Sequence, residues 1–115
     1  MAEEALTMSR SEESENGARV LTLNGPLVLR TLFEFQDAVR EENPHNLILD
    51  LTGVEYMDSA GLGAILGAYA SYERKGKKLA LSGVNARIQV LLQVTHTNQF
   101  LRVYPSVADA IAATR

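Results

Sequence analysis

At 115 residues the chain has room for one domain with a real core and not for two ordinary ones. Hydrophobic residues make up 46% and charged residues 22%, with a formal charge of -3, so no broad basic surface recommends nucleic acid or an anionic membrane. With no cysteine there is neither a disulfide framework nor a thiol-based metal or redox site, and no stretch approaches the ~18 consecutive apolar residues of a membrane span. The opening is acidic and polar rather than a charged-then-apolar signal, and a cytoplasmic setting follows most simply.

Residues 1–17 carry Glu3, Glu4, Glu12, Glu13 and Glu15 among serines, with little apolar surface to offset chain entropy. The expectation is a disordered acidic tail, with the folded domain spanning 18–115. Val20, Leu21 and Leu23 predict a first strand over 19–23, ended by the turn residues Asn24-Gly25-Pro26, after which Leu27 to Leu29 resumes an extended path. Thr31 followed by Glu34 has the spacing of a capping box, and a helix to about Glu42 buries Leu32, Phe35 and Val39 while Glu34, Asp37, Arg40 and Glu41 face water. Pro44 prevents its continuation.

The run Leu47, Ile48, Leu49, Asp50, Leu51 is short and branched, as in an interior strand covered on both faces, and predicts the centre of the sheet. Thr52-Gly53 breaks it. From Ala60 to Tyr72, Leu62, Ile65, Leu66, Tyr69 and Tyr72 recur at helical spacing, and the helix stops near Lys75-Gly76 with cations in its last turn and a glycine suited to the left-handed cap. Ala60, Ala64, Gly67, Ala68 and Ser71 form a second, small-residue face, suited to close packing on the sheet or a partner. A strand over 79–81 follows, then a helix capped by Asn85 and carrying Ile88, Leu91 and Leu92, a polar stop over 96–99, a strand over 100–103, and a final helix begun by Ser106 with Asp109 three residues on. This alternation predicts a single α/β domain with a mixed, largely parallel sheet and alternating helices.

Asp58 and Ser59 fall where the central strand hands over to its helix. In open α/β sheets sites form at that junction, because unpaired N–H groups and the positive end of the helix dipole gather there. From composition and spacing, Asp58 is an ordinary N-cap and Ser59 an ordinary first-turn residue. Met57-Asp58-Ser59-Ala60-Gly61 lacks the first glycine of a nucleophile elbow, and spacing ties neither His45 nor His96 to Ser59. Gly61 and Gly63 fit neither a dinucleotide fingerprint nor a P-loop. No cofactor, no metal and no catalytic residue is assigned, and the chain is read as a non-enzyme.

The segment from Asp50 to Gly63 with its DSAGLG core, then GKKLAL, then VLLQVTHTNQFLRVYPSVADAI, resembles a STAS domain, and within that family the bacterial anti-sigma factor antagonists. The likeness covers roughly residues 18–113. It implies that the serine after the aspartate at this helix start, here Ser59, is phosphorylated by an anti-sigma factor that is also a serine kinase, and that a serine phosphatase reverses the modification. It further implies that the unphosphorylated form binds the anti-sigma factor and frees the sigma factor, with Asp58, Ser59, Ala60, Gly61, Leu62 and Gly63 as the partner-binding surface. Antagonists of the family often carry acids in the first loop. Here it reads Gly25-Pro26-Leu27-Val28, which favours the alternative of a STAS interaction module that is never phosphorylated and serves a transport or regulatory assembly.

Overall fold

The computed structural model describes residues 4–14 and 16–113. Five strands, β1 (Thr7–Arg10), β2 (Ala18–Asn24), β3 (Asn46–Gly53), β4 (Lys78–Ser82) and β5 (Arg102–Tyr104), form one sheet in that spatial order. β1 runs antiparallel to β2 and every other pair is parallel. Four helices connect and cover the strands: α1 (Leu32–Glu41), α2 (Ser59–Arg74), α3 (Ala86–Val94) and α4 (Val107–Ala112).

β3 is the central strand, as its composition predicts. Leu47, Leu49 and Leu51 point into the main core with Phe35, Ile65, Leu81, Ile88 and Leu92, which places α1, α2 and α3 on one face of the sheet. Ile48 points the other way, into a smaller cluster with Ala18 and Ala110, so the short α4 covers the second face only in part. Because alternate strand residues point to opposite faces, a strand buried on both sides reads as a continuous apolar run.

The expectation of a disordered tail over 1–17 is corrected where the chain is described; Glu3 and Glu15 lie outside the described residues. Thr7–Arg10 pairs with β2 in register from Thr7 opposite Asn24 to Arg10 opposite Leu21. Leu6 is 4% exposed and belongs to the main core, with Met8 packed against it. An edge strand needs only one buried face, so two apolar residues at a spacing of two suffice where a whole-segment composition looks too polar. Arg10 adds an ionic tie: its Nε lies 3.0 Å from Glu42 Oε1, while Arg19 Nη1 donates to Glu42 Oε2 at 2.8 Å. The Glu42 side chain is fully buried, directly after α1. Hydrogen bonding to Glu42 is the largest influence holding the Arg19 guanidinium above its ordinary range, and burial followed by the Glu42 charge pushes the Tyr72 phenol up to about 12.

Two local expectations shift. No capping box forms at α1, because the Thr31 hydroxyl turns back into the preceding loop and Glu34 is left in solvent. The last strand begins two residues later than its pattern predicts. A single 3-10 turn at Thr97–Gln99, entered through a left-handed His96, takes up chain there and leaves Phe100 outside the sheet, tilted against Tyr69 at a ring separation of 5.7 Å. The caps at Asn85 and Ser106 form as their spacing predicts, and Gly76 adopts φ +72° after α2.

Candidate functional site at the start of α2

β3 ends at Gly53 and the chain crosses the top of the sheet through buried Val54 and Met57 before entering α2 at Ser59. The loop 25–31 runs alongside this crossing. Leu27 forms a parallel bridge with Met57, its N–H donates to Tyr56 O at 3.1 Å, and its carbonyl accepts from Asp58 N at 3.4 Å. Thr31 holds the loop from inside, donating through Oγ1 to Pro26 O at 2.8 Å and accepting from Val28 N at 3.0 Å. That use of the hydroxyl is what the capping-box pattern misread: the same short side chain satisfies loop amides instead of helix amides.

Asp58 is the N-cap of α2, with Oδ1 accepting from Gly61 N at 2.8 Å. Its other oxygen, Oδ2, accepts from Leu29 N at 3.1 Å, so one carboxylate holds two elements. Ser59, the first helical residue, is exposed. Its hydroxyl therefore stands in solvent at the positive end of a 16-residue helix, where an added anion is favoured by ~0.3–1 kcal/mol.

The six residues of the expected contact surface divide. Ser59 and Gly63 are exposed, Asp58 and Ala60 are half-buried, and Gly61 and Leu62 are buried. Gly61 and Leu62 serve the fold of the chain itself. Leu62 is 3% exposed in the core, and a Cβ on Gly61 would lie 2.1 Å from Leu27 O, so this glycine lets the loop close onto the helix. Gly63 and Gly67 differ: a Cβ at either would meet nothing within 4 Å. On the small-residue face of α2, buried Ala64 and Ala68 and exposed Gly67 all border an open groove of about 230 Å³ between α1 and α2, lined also by Phe35, Val39 and Ser71.

Two apolar side chains on the loop and the start of α1 are exposed. Leu29 is 62% exposed in the loop tied to Asp58, and Phe33 is 63% exposed one turn later. Their only signal in the sequence is negative: both fall off the Leu32, Phe35, Val39 stripe. His45 and His96 are exposed, and among the described residues no three or more His, Cys, Asp or Glu side chains gather into a set that could hold a metal. No helix among the described residues is long and apolar enough to cross a membrane.

A STAS domain family model matches residues 10–110. The chain belongs to the STAS domain family. A protein named anti-sigma F factor antagonist from Paenibacillus polymyxa is 27% identical over 103 residues, covering 86% of this chain and 88% of that one. Among solved structures, an anti-sigma factor antagonist from Mycobacterium paratuberculosis superposes with a TM-score of 0.83 at 22% identity, over 96% of this chain and 95% of that one. The Bacillus cell fate determinant SpoIIAA in its phosphorylated form superposes with a TM-score of 0.70 at 17% identity, over 95% of this chain and all of that one. At these identities the two structural likenesses speak to the STAS fold itself.

Proposed function

We propose that this STAS domain is an anti-sigma factor antagonist of the cytoplasm, switched by phosphorylation of Ser59. In the unmodified state it binds a kinase-type anti-sigma factor and thereby frees the sigma factor. The partner then transfers the γ-phosphoryl group of ATP to Ser59: the bond between that phosphorus and the bridging oxygen breaks, a bond from phosphorus to Oγ forms, ADP leaves, and the hydroxyl proton is released. A serine phosphatase resets the switch. The domain itself is non-catalytic; its chemistry belongs to its partners.

The observation that carries this reading is the exposed Ser59 at the first turn of α2, one turn before the bare backbone of Gly63 and next to Asp58, which holds the amide of exposed Leu29. The name of the Paenibacillus relative and the phosphorylated state of SpoIIAA support it. A phosphoryl group adds roughly -1.5 to -2 charges at pH 7 while the helix end favours an anion only slightly, so the fold survives and the effect falls on the interface. Mismatched charge across a docked surface costs several kcal/mol, and each ~1.4 kcal/mol is tenfold in affinity, so modification weakens partner binding by at least about 100-fold.

Incubation with ATP and a kinase-type anti-sigma factor encoded nearby, followed by intact-mass measurement and titration calorimetry, tests this. The wild type gains one phosphoryl group and loses affinity; Ser59→Ala binds and gains none; Ser59→Asp binds weakly. Full affinity in Ser59→Asp contradicts the switch. The absence of acids from Gly25-Pro26-Leu27-Val28 favours a second reading, a STAS module docked constitutively in a transport or regulatory assembly, under which no kinase adds mass and an operon of membrane-transport parts surrounds the gene.

A further inference from the structure

We propose that Asp58 is a positioning residue that couples the charge at residue 59 to the placement of the 25–31 loop, so that a modified Ser59 is registered at Leu29 as well as at its own oxygen. The inference rests on the switch reading above for its use in the cell, and on geometry for its existence.

The loop is not held evenly. Its first half is fixed by the Leu27–Met57 bridge, the Leu27 N–H to Tyr56 O bond and the Thr31 hydroxyl, which engages Pro26 and Val28. Val28 O accepts from Thr31 N at 3.0 Å and from Leu32 N at 2.8 Å, closing a turn around Leu29, whose own amide is accepted by Asp58 Oδ2 at 3.1 Å and whose 62% exposed side chain contributes little burial of its own. Thus one carboxylate has its Oδ1 in the first turn of α2 at 2.8 Å and its Oδ2 on the loop. The two bonds are unequal: the helix bond is shorter and half-buried, the loop bond longer and exposed.

A negative group on the adjacent Ser59 repels the Asp58 charge directly. The exposed bond to Leu29 yields first. Phosphorylation then both adds charge to the surface and loosens the apolar side chain beside it, giving two separable contributions to loss of the partner.

The test uses the full chain, labelled with ¹⁵N, and follows the amide resonances of Leu29 and Gly61, which report the two oxygens separately. In Ser59→Asp the Leu29 amide proton moves upfield and exchanges several-fold faster, while Gly61 stays within twofold of wild type. Asp58→Asn keeps one acceptor oxygen and remains a good N-cap. It holds Gly61 and speeds Leu29 exchange about tenfold, as loss of one ordinary hydrogen bond implies. A cap with no coupling role moves both amides together. The inference is overturned by an unmoved Leu29 in Ser59→Asp, by Leu29 and Gly61 shifting together in either variant, or by a wild-type Leu29 in Asp58→Asn. No kinase or partner is present in these measurements, so a failure of the phosphorylation reading shows in the intact-mass experiment and a failure of the coupling shows here.

Discussion

Gly61 and Gly63 lie two residues apart in the first turns of α2, and alanine at each is expected to change stability in opposite directions. On helix propensity both substitutions gain ~1 kcal/mol. At Gly63 nothing lies within 4 Å of the new methyl, so that gain is realised, about 0.5–1 kcal/mol after screening by the end of the helix. At Gly61 the methyl would sit 2.1 Å from Leu27 O and 2.8 Å from Leu27 C, backbone atoms held by the Met57 bridge and by hydrogen bonds to Tyr56 and Asp58. The loop must move as a unit. Overpacking of this kind typically costs ~1–3 kcal/mol, to which each lost loop hydrogen bond adds ~0.5–1.5 kcal/mol, leaving Gly61→Ala about 2 kcal/mol less stable than wild type. For a domain of this size ~1 kcal/mol corresponds to ~4–8 °C, so the two variants should melt roughly 10–20 °C apart. Urea unfolding monitored by far-UV circular dichroism reads both numbers. Equal stabilities, or a destabilised Gly63→Ala, would refute the assignment of one glycine to packing and the other to open surface. Under the proposed function Gly63→Ala also binds the anti-sigma factor more weakly despite its greater stability, because its methyl stands in the contact surface.

Leu6→Ala should cost ~2–3 kcal/mol in urea unfolding if β1 belongs to the domain, since Leu6 is 4% exposed in the core; a change near zero would return this segment to the status of a solvated tail. Glu42→Ala is expected to lose ~2–4 kcal/mol, because Arg19 loses its hydrogen-bonded carboxylate, Arg10 keeps only the exposed Glu41, and a fully buried site is left unfilled; partial exposure of both arginines puts the value toward the lower end, and retention of full stability would show the cluster to be dispensable. The Tyr72 phenol has its pKa raised from 10.0 to about 12 by burial and by Glu42. The folded state therefore holds this proton more tightly than the unfolded state, so the contribution is fully present below pH 10 and is lost as pH rises from 10 to about 12. Unfolding titrations across that window should show a steeper loss in wild type than in Tyr72→Phe, and parallel curves would exclude Tyr72 as the cause.

Much of this architecture is local enough to read from the chain. Leu47, Ile48, Leu49 and Leu51 specify a strand buried on both faces, because a short run of branched residues alternating between the two faces hides them all only with cover on each side. The N-caps at Asn85 and Ser106, and the left-handed glycine at residue 76, depend on a few neighbouring atoms, and each forms where its spacing puts it. The start of α2 follows for the same reason: a helix boundary and its cap are set by residues within one turn of it.

What the tertiary structure alone decided concerns contacts between segments far apart in sequence. Whether Leu6 and Met8 are enough for a strand depends on β2 offering a free edge. Whether Thr31 caps a helix or pins a loop depends on where Pro26 and Val28 have been carried. Three glycines of α2 read alike as residues, yet Gly61 is filled by the Leu27 carbonyl while Gly63 and Gly67 face open space, because only the folded chain brings a loop to one of them. The second oxygen of Asp58 is the same case: its partner, Leu29, is 29 residues away, and no periodicity or motif encodes a hydrogen bond that exists only once two separate loops have been laid side by side.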